Sequence, residues 1–244
     1  RWFVPKKYGG FEFSLEGFME VGMMLGAADV STAWVVTFCM EHNWLMGLYS
    51  AEGQDTIFRK HPYIIAPGAL APKGTARPVD GGYIVTGRWQ WGTGVMHANH
   101  VMVGALTDHD GNPELCMYVL PIEDAEVIDT WHMSGMVATG SNDIAVTEKF
   151  VPACLRLNLT DMRAGDSPGA KLHKTTNFRM PMLPVLGLTA ASPAVGCAGR
   201  TLQRFKDRME ERTVYGTTDR QSERALGQSR LAHLNARQLT LENT

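Results

Sequence analysis

The sequence predicts an α+β protein in which helices flank a central module of strands. Three observations carry this. Apolar residues recur at helical spacing near both ends of the chain. Short apolar runs broken by glycine and proline fill the middle. Within that middle, Gly87-Arg88-Trp89-Gln90-Trp91-Gly92-Thr93-Gly94 alternates two tryptophans along a strand that runs into a Gly-Thr-Gly turn. Side chains in a strand repeat every second residue, so the alternation puts Trp89 and Trp91 on one face.

The first zone, residues 14–60, reads as helical. Ser14 can cap a helix with Glu16 in its first turn, and Leu15, Phe18, Met19, Val21, Gly22 and Leu25 follow at helical spacing. A second helix runs from Val30 or Ser31 to Tyr49. It is apolar on nearly every side, which marks a buried helix. Its polar residues Thr37, Glu41, His42 and Asn43 therefore stand out. Residues 54–59 suit a short third helix.

The second zone, residues 64–157, reads as strands. Asp80-Gly81-Gly82 is a hairpin signal between Ala76-Arg77 and Tyr83-Ile84-Val85. Residues 100–106 and 115–120 pair across Asp108-His109-Asp110-Gly111, and residues 127–131 and 143–150 give two more strands. Short strands with regular turns predict a small barrel or sandwich. After a polar loop over residues 161–175, the chain is small and apolar from Pro184 to Ala198. It then continues as amphipathic helix over residues 200–211 and 222–241. Small residues let helices pack closely, within one chain or between chains. The expected domains are a helical part over residues 1–62, a strand module over 63–158 and a helical bundle over 159–244. Both ends read as cut: the chain opens at Arg1 without methionine and closes at Thr244 inside a helical stretch with no stop signal.

Composition limits the function. The 244 residues carry a formal net charge of -2, which gives no electrostatic case for nucleic acid or an anionic membrane. Cys39, Cys116, Cys154 and Cys197 are widely spaced and form no CxxC pair, which argues against a zinc site or a disulfide scaffold. No signal peptide and no bilayer-spanning apolar run is read, so the expected compartment is a reducing cytoplasm. His97 and His100 lack a carboxylate partner in sequence and read as structural, so no metal is expected. At the Trp-rich strand, a broad aromatic, a close glycine backbone and the single Thr93 hydroxyl would suit an isoalloxazine ring. A core strand ending in a turn is the plainer alternative.

The order of elements, with Trp91-Gly92-Thr93 in the strand module, resembles the acyl-CoA dehydrogenase fold, whose central β-barrel carries a Trp-x-Thr or Trp-x-Ser segment beside its flavin. Ser134-Gly135-Met136-Val137-Ala138-Thr139-Gly140-Ser141-Asn142-Asp143 resembles that fold's Gly-Ser segment, and Phe150-Val151-Pro152 its barrel close. A narrower set is similar to the oxygenase components of two-component flavin monooxygenases. It comprises Ser31-Thr32-Ala33-Trp34, His42-Asn43-Trp44, Pro72-x-Gly74-Thr75-Ala76, Gly81-Gly82-Tyr83 with Gly87-Arg88-Trp89, and Gly94-x-x-His97-Ala98. The Glu-x-x-Ala/Gly-Gly-Ser-Asp segment usual in true dehydrogenases is replaced here by Ala66-Pro67-Gly68-Ala69-Leu70-Ala71-Pro72-Lys73-Gly74.

The resemblance implies a reaction and a set of roles. A separate reductase supplies reduced FMN or FAD, dioxygen adds at C4a, and the resulting hydroperoxide hydroxylates a small phenolic ring. Thr93 would contact flavin N5, Trp91 would border the ring, and Ser141 would bond the flavin or its phosphate. Arg179 would place a cation near N1 and O2, with a surface loop arginine as the even alternative. His42 would face the phenolic oxygen as ligand or base, and Trp34, two helical turns earlier, would wall the same pocket. The resemblance also implies a homotetramer through the C-terminal helices. Two alternatives stand beside it. One is a dehydrogenase-like flavoenzyme that oxidises the Cα–Cβ bond of an acyl thioester. The other is a non-catalytic binding or assembly subunit on the same fold.

Overall fold

A computed structural model describes residues 1–109 and 111–242. Asp110 of the expected hairpin turn and Thr244 at the expected cut end lie outside the described residues. The Ser14 side chain accepts from the Gly17 amide and starts α1, Leu15–Ala28. Asp29 separates α1 from α2, Val30–Met46. Its amide closes α1 on the Leu25 carbonyl, and its carboxylate opens α2 by accepting from Thr32 N at 2.7 Å. Ser50 caps α3, Ala51–Ile57, in the same way.

The strands are β1 Gly68–Val79, β2 Gly82–Gly92, β3 His100–His109, β4 Asn112–Pro121, β5 Glu126–Ile128, β6 Asn142–Pro152 and β7 Arg156–Asn158. The expected hairpin forms between β1 and β2, with Gly81 in the left-handed region at φ +74°. The expectation of a central barrel is corrected. The seven strands form one open sheet in the order β5-β6-β2-β1-β3-β4-β7. Its two ends are strands of three residues, β5 and β7, which among the described residues pair only inward, with β6 and β4. Closure needs edges long enough to pair with each other. The strand expected at 127–131 stops at Ile128, because Asn142 Oδ1 accepts from the amides of both Thr130 and Trp131 at 2.9 Å and draws them off the ladder.

The expected shared face of Trp89 and Trp91 is also corrected. Between β2 and β6 the register slips: Trp89 pairs with Ile144 and Gly92 with Asn142, so Gln90 and Trp91 oppose Asp143 alone. Trp91 takes φ +67° in this bulge. Trp89 is 1% exposed, lies against Gly74 and Gly87, and donates its indole N–H to the Gly104 carbonyl at 2.7 Å. Trp91 is turned away to 60% exposure.

The expected loop over 161–175 holds two short helices, α4 Leu159–Ala164 and α5 Pro168–Leu172. The small apolar run and the amphipathic stretch that continues it form one helix, α6 Met182–Glu211, followed by α7 Ala225–Glu242. By length and composition α6 could cross a membrane, contrary to the expectation that no such run exists. In this fold it packs on α1 and α2. The contact depends on absent side chains. A Cβ on Gly196 would lie 1.9 Å from the Met23 carbonyl oxygen, and one on Gly26 would lie 2.2 Å from that of Pro193. The small apolar run therefore serves a crossing within the chain. Trp44, Tyr49, Trp89, Tyr118, Phe3, Phe18 and Phe178 fill the core beneath.

Candidate active site

A cavity of about 430 Å³ opens where α2, the end of β2 and the segment before β6 meet. That is within the usual range for a small-molecule site. From α2 come Val30, Trp34 and Phe38, from β1 Gly68, and from α6 Ala194. The bulge and turn after β2 bring Trp91 and Thr93, and the segment before β6 brings Trp131, Met136, Thr139 and Ser141. Four residues expected at the site, Trp34, Trp91, Thr93 and Ser141, therefore share one cavity.

The backbone is shaped for this. Four non-glycine residues have positive φ among those described, and two of them, Trp91 and Met136, line the cavity. Such conformations cost about 1 kcal/mol or more and collect at functional sites. Met136 and Gly140, both left-handed, bracket the turn Val137–Thr139. The Gly94 amide donates to the Thr139 carbonyl at 3.1 Å and ties the two loops together. Trp131 is fixed by Asn142 and by its indole N–H, which donates to the Met136 carbonyl at 3.1 Å. Arg88 bonds Asp143, whose other oxygen accepts from the Thr130 hydroxyl at 3.0 Å. On the cavity floor, Thr93 Oγ1 lies 3.2 Å from Ser141 Oγ, and Ser141 Oγ lies 2.8 Å from Thr139 Oγ1.

His42 stands behind this wall. Trp34, Phe38 and His42 follow at successive turns of α2, with ring centroids 4.4 and 5.8 Å apart, the first pair tilted and the second edge-to-face. His42 Nδ1 is 2.6 Å from the Ala66 carbonyl, so the proton sits on Nδ1 and Nε2 holds the lone pair. Nε2 faces Gly68: a Cβ there would lie 2.8 Å away. Burial pushes the His42 pKa down to about 4 and keeps the ring neutral. Asn43 clamps the adjoining segment, donating to the Ile64 carbonyl at 2.7 Å and accepting from the Ile64 amide at 2.8 Å.

Arg179 does not join the cavity. It is exposed at the end of the turn Thr176–Arg179, with Gly165 packed on its carbonyl. His97 is exposed on the turn after Thr93, and His100 Nδ1 lies 3.1 Å from Asn99 Oδ1. Sequence reasoning passed over Phe38, Trp131, Met136 and Thr139. Phe38 was recoverable, four residues after Trp34, and Thr139 sits inside the Gly-Ser segment; nothing local marks Trp131. Glu41, next to His42, faces α6 instead. The Thr189 hydroxyl donates to its Oε2, its Oε1 has no hydrogen-bond partner among the described residues, and burial raises its pKa to about 8.

The fold neighbours are acyl-CoA dehydrogenase-like, and this chain shares that architecture with its sheet left open and an aromatic-walled, hydroxyl-floored cavity where sheet and helices meet. No family model matches the chain. Its homologues are oxygenase components of flavin-dependent monooxygenases. It is 34% identical over 211 residues to a "pigment production hydroxylase" of Rhodococcus sp., covering 84% of this chain and 54% of the relative. It is 31% identical over 214 residues to the oxygenase component of p-hydroxyphenylacetate 3-hydroxylase from Acinetobacter baumannii, covering 87% and 51%. Among solved structures, 3-HSA hydroxylase from Rhodococcus superposes with a TM-score of 0.89 at 26% identity, covering 99% of this chain and 63% of that one. XiaF from Streptomyces, solved with FADH2 and glycerol, gives 0.87 at 26% identity over 99% and 62%. The chain spans about half the length of the curated relatives it matches.

Proposed function

We propose that this chain acts in the oxygenase component of a two-component flavin-dependent monooxygenase. It takes reduced FMN or FAD from a separate reductase and hydroxylates a small phenolic substrate with dioxygen. The cavity is the observation that supports this. Trp91, Thr93, Ser141 and Trp34 meet there in a chain whose relatives are named as hydroxylases and oxygenase components. Those names favour this reading over oxidation of an acyl thioester. A planar ring system fits the donor set: aromatic walls, glycine backbone at Gly68, and hydroxyls on the floor.

When bound, reduced flavin supplies the activation of dioxygen. The chain's residues bind, orient and exclude water. Trp91 would border the ring, Thr93 would hold it at N5, and Ser141 would support Thr93 from behind. Trp34 and Phe38 wall off water, which shields a reactive oxygen species from wasteful loss. His42 Nε2 receives the phenolic O–H across the gap left by Gly68. With a pKa near 4 it polarises that bond as an acceptor and does not keep the proton. The greater electron density this gives the ring speeds its attack on oxygen.

We also propose the three-part division at residues 62 and 158, and a homotetramer built on α6 and α7. Leu183, Leu188 and Phe205 on α6, and Leu226 and Leu234 on α7, are exposed apolar side chains that support such a contact.

The test is anaerobic binding of reduced FMN followed by mixing with oxygenated buffer and a panel of phenols. The expected result is hydroxylated product in near-stoichiometric yield on oxygen consumed. Release of all the oxygen as hydrogen peroxide with every phenol, together with oxidation of a fatty acyl-CoA by an artificial acceptor, would replace this reading with the dehydrogenase one.

A further inference from the structure

The three hydroxyls on the cavity floor form a chain with a defined direction. Thr93 Oγ1 contacts Ser141 Oγ, Ser141 Oγ contacts Thr139 Oγ1, and Thr139 Oγ1 lies 3.0 Å from the Met136 carbonyl oxygen. A hydroxyl has one proton and a carbonyl has none. Three bonds in series therefore use all three protons. Thr139 donates to Met136, Ser141 donates to Thr139, and Thr93 donates to Ser141. Thr93 is left with only lone pairs to offer the cavity. The three side chains are buried, at 9, 3 and 3% exposure for Thr93, Thr139 and Ser141, so bulk water does not reset the direction. The reversed chain, with Thr93 offering a proton outward, forfeits the bond to Met136. The left-handed Met136 backbone turns that carbonyl toward the Thr139 hydroxyl and amide and the Trp131 indole together.

We infer that Thr139 is a positioning residue that, through Ser141, makes Thr93 a hydrogen-bond acceptor only, so that the cavity selects a planar ring carrying an N–H at that point over the same ring without it. The inference rests on the flavin reading above. Reduced flavin carries a proton on N5. Oxidised flavin presents a lone pair there, which would face the lone pairs of Thr93. Thr139 would thus contribute to the choice of redox state without touching the ligand.

The experiment compares wild type, Thr139→Val, Thr139→Ser and Ser141→Ala. For each, the dissociation constants of oxidised FMN and, anaerobically, of reduced FMN are measured by quenching of tryptophan fluorescence. Valine keeps the shape of threonine but removes the link to Met136, which frees Ser141 and Thr93 to reverse. Wild type is expected to prefer reduced FMN. Thr139→Val and Ser141→Ala are expected to lower that preference about tenfold, chiefly through tighter binding of the oxidised form. Thr139→Ser should retain the wild-type ratio. A parallel loss of both affinities, or an unchanged ratio in Ser141→Ala and a folded Thr139→Val, would overturn the inference while leaving the flavin site standing. Should Thr139→Val not fold, the Ser141→Ala ratio alone decides. Failure of wild type to bind either form overturns the flavin reading itself, and the inference with it.

Discussion

Glu41 and His42 are neighbours on α2, both buried, and burial moves their titrations in opposite directions. Glu41 holds its proton from its ordinary 4.5 up to about 8, so the stability it supports is lost as pH rises through that range. His42 stays neutral from its ordinary 6.5 down to about 4, so its share is lost as pH falls through that range. Of the two, only Glu41 contributes between pH 6.5 and 8. Glu41→Gln should therefore remove about 2 kcal/mol of the loss in stability over that interval, read from urea midpoints at its two ends. An identical loss in the variant would show that Glu41 titrates normally. His42→Ala should lower hydroxylation of a phenol about a hundredfold while oxygen uptake falls far less; equal losses would make His42 structural. Thr93→Ala should raise the hydrogen peroxide released per oxygen consumed, and unchanged coupling would remove Thr93 from N5. His42 was legible as a polar residue on an apolar helix, Trp91 and Thr93 as an aromatic and a hydroxyl at a glycine turn, and Ser141 only through the resemblance. The partners that give them their roles were not. Gly68 opposite His42 Nε2 and Met136 beneath Thr139 are contacts made across turns that no local periodicity encodes.

At the level of elements, the cap of α1 and the apolar spacings of α1 and α2 were readable from Ser14 and the runs that follow, as was the β1–β2 hairpin from Asp80-Gly81-Gly82. These features act over a few residues, so the local sequence specifies them. The bulge at Gln90-Trp91 was not readable. Alternation predicts one face for both tryptophans, and only the partner strand β6, arriving one residue short, rotates Trp91 into the cavity. The place where α6 crosses α1 was hidden as well, because Pro193 and Gly196 carry no local sign of the backbone they meet. Packed on α1 they are the crossing itself. Gly196→Ala would press a methyl group against the Met23 carbonyl, and we expect a loss of about 3 kcal/mol in denaturant unfolding. A change below about 0.5 kcal/mol would mean that the two helices part without cost.

For the whole molecule, the exposed apolar side chains of α6 and α7 support the proposed association of copies, while the number four comes from the resemblance alone. Light scattering at micromolar concentration should return about four times the 26.9 kDa chain mass; a single-chain mass that persists on concentration would withdraw the tetramer. The sequence by itself determined the helix–strand–helix order, the buried character of α2, the hairpin, and the motifs that tie the chain to its relatives. All of these are carried by composition, period and capping within short windows. The tertiary structure decided that the sheet stays open, because β5 and β7 are too short to meet. It decided that Arg179 lies away from the cavity, and that Trp91 and Trp89 part company. It also decided the direction of the hydroxyl chain, since a proton's direction depends on which acceptor stands at the end of the line, and that acceptor, the Met136 carbonyl, is brought there by a backbone turn.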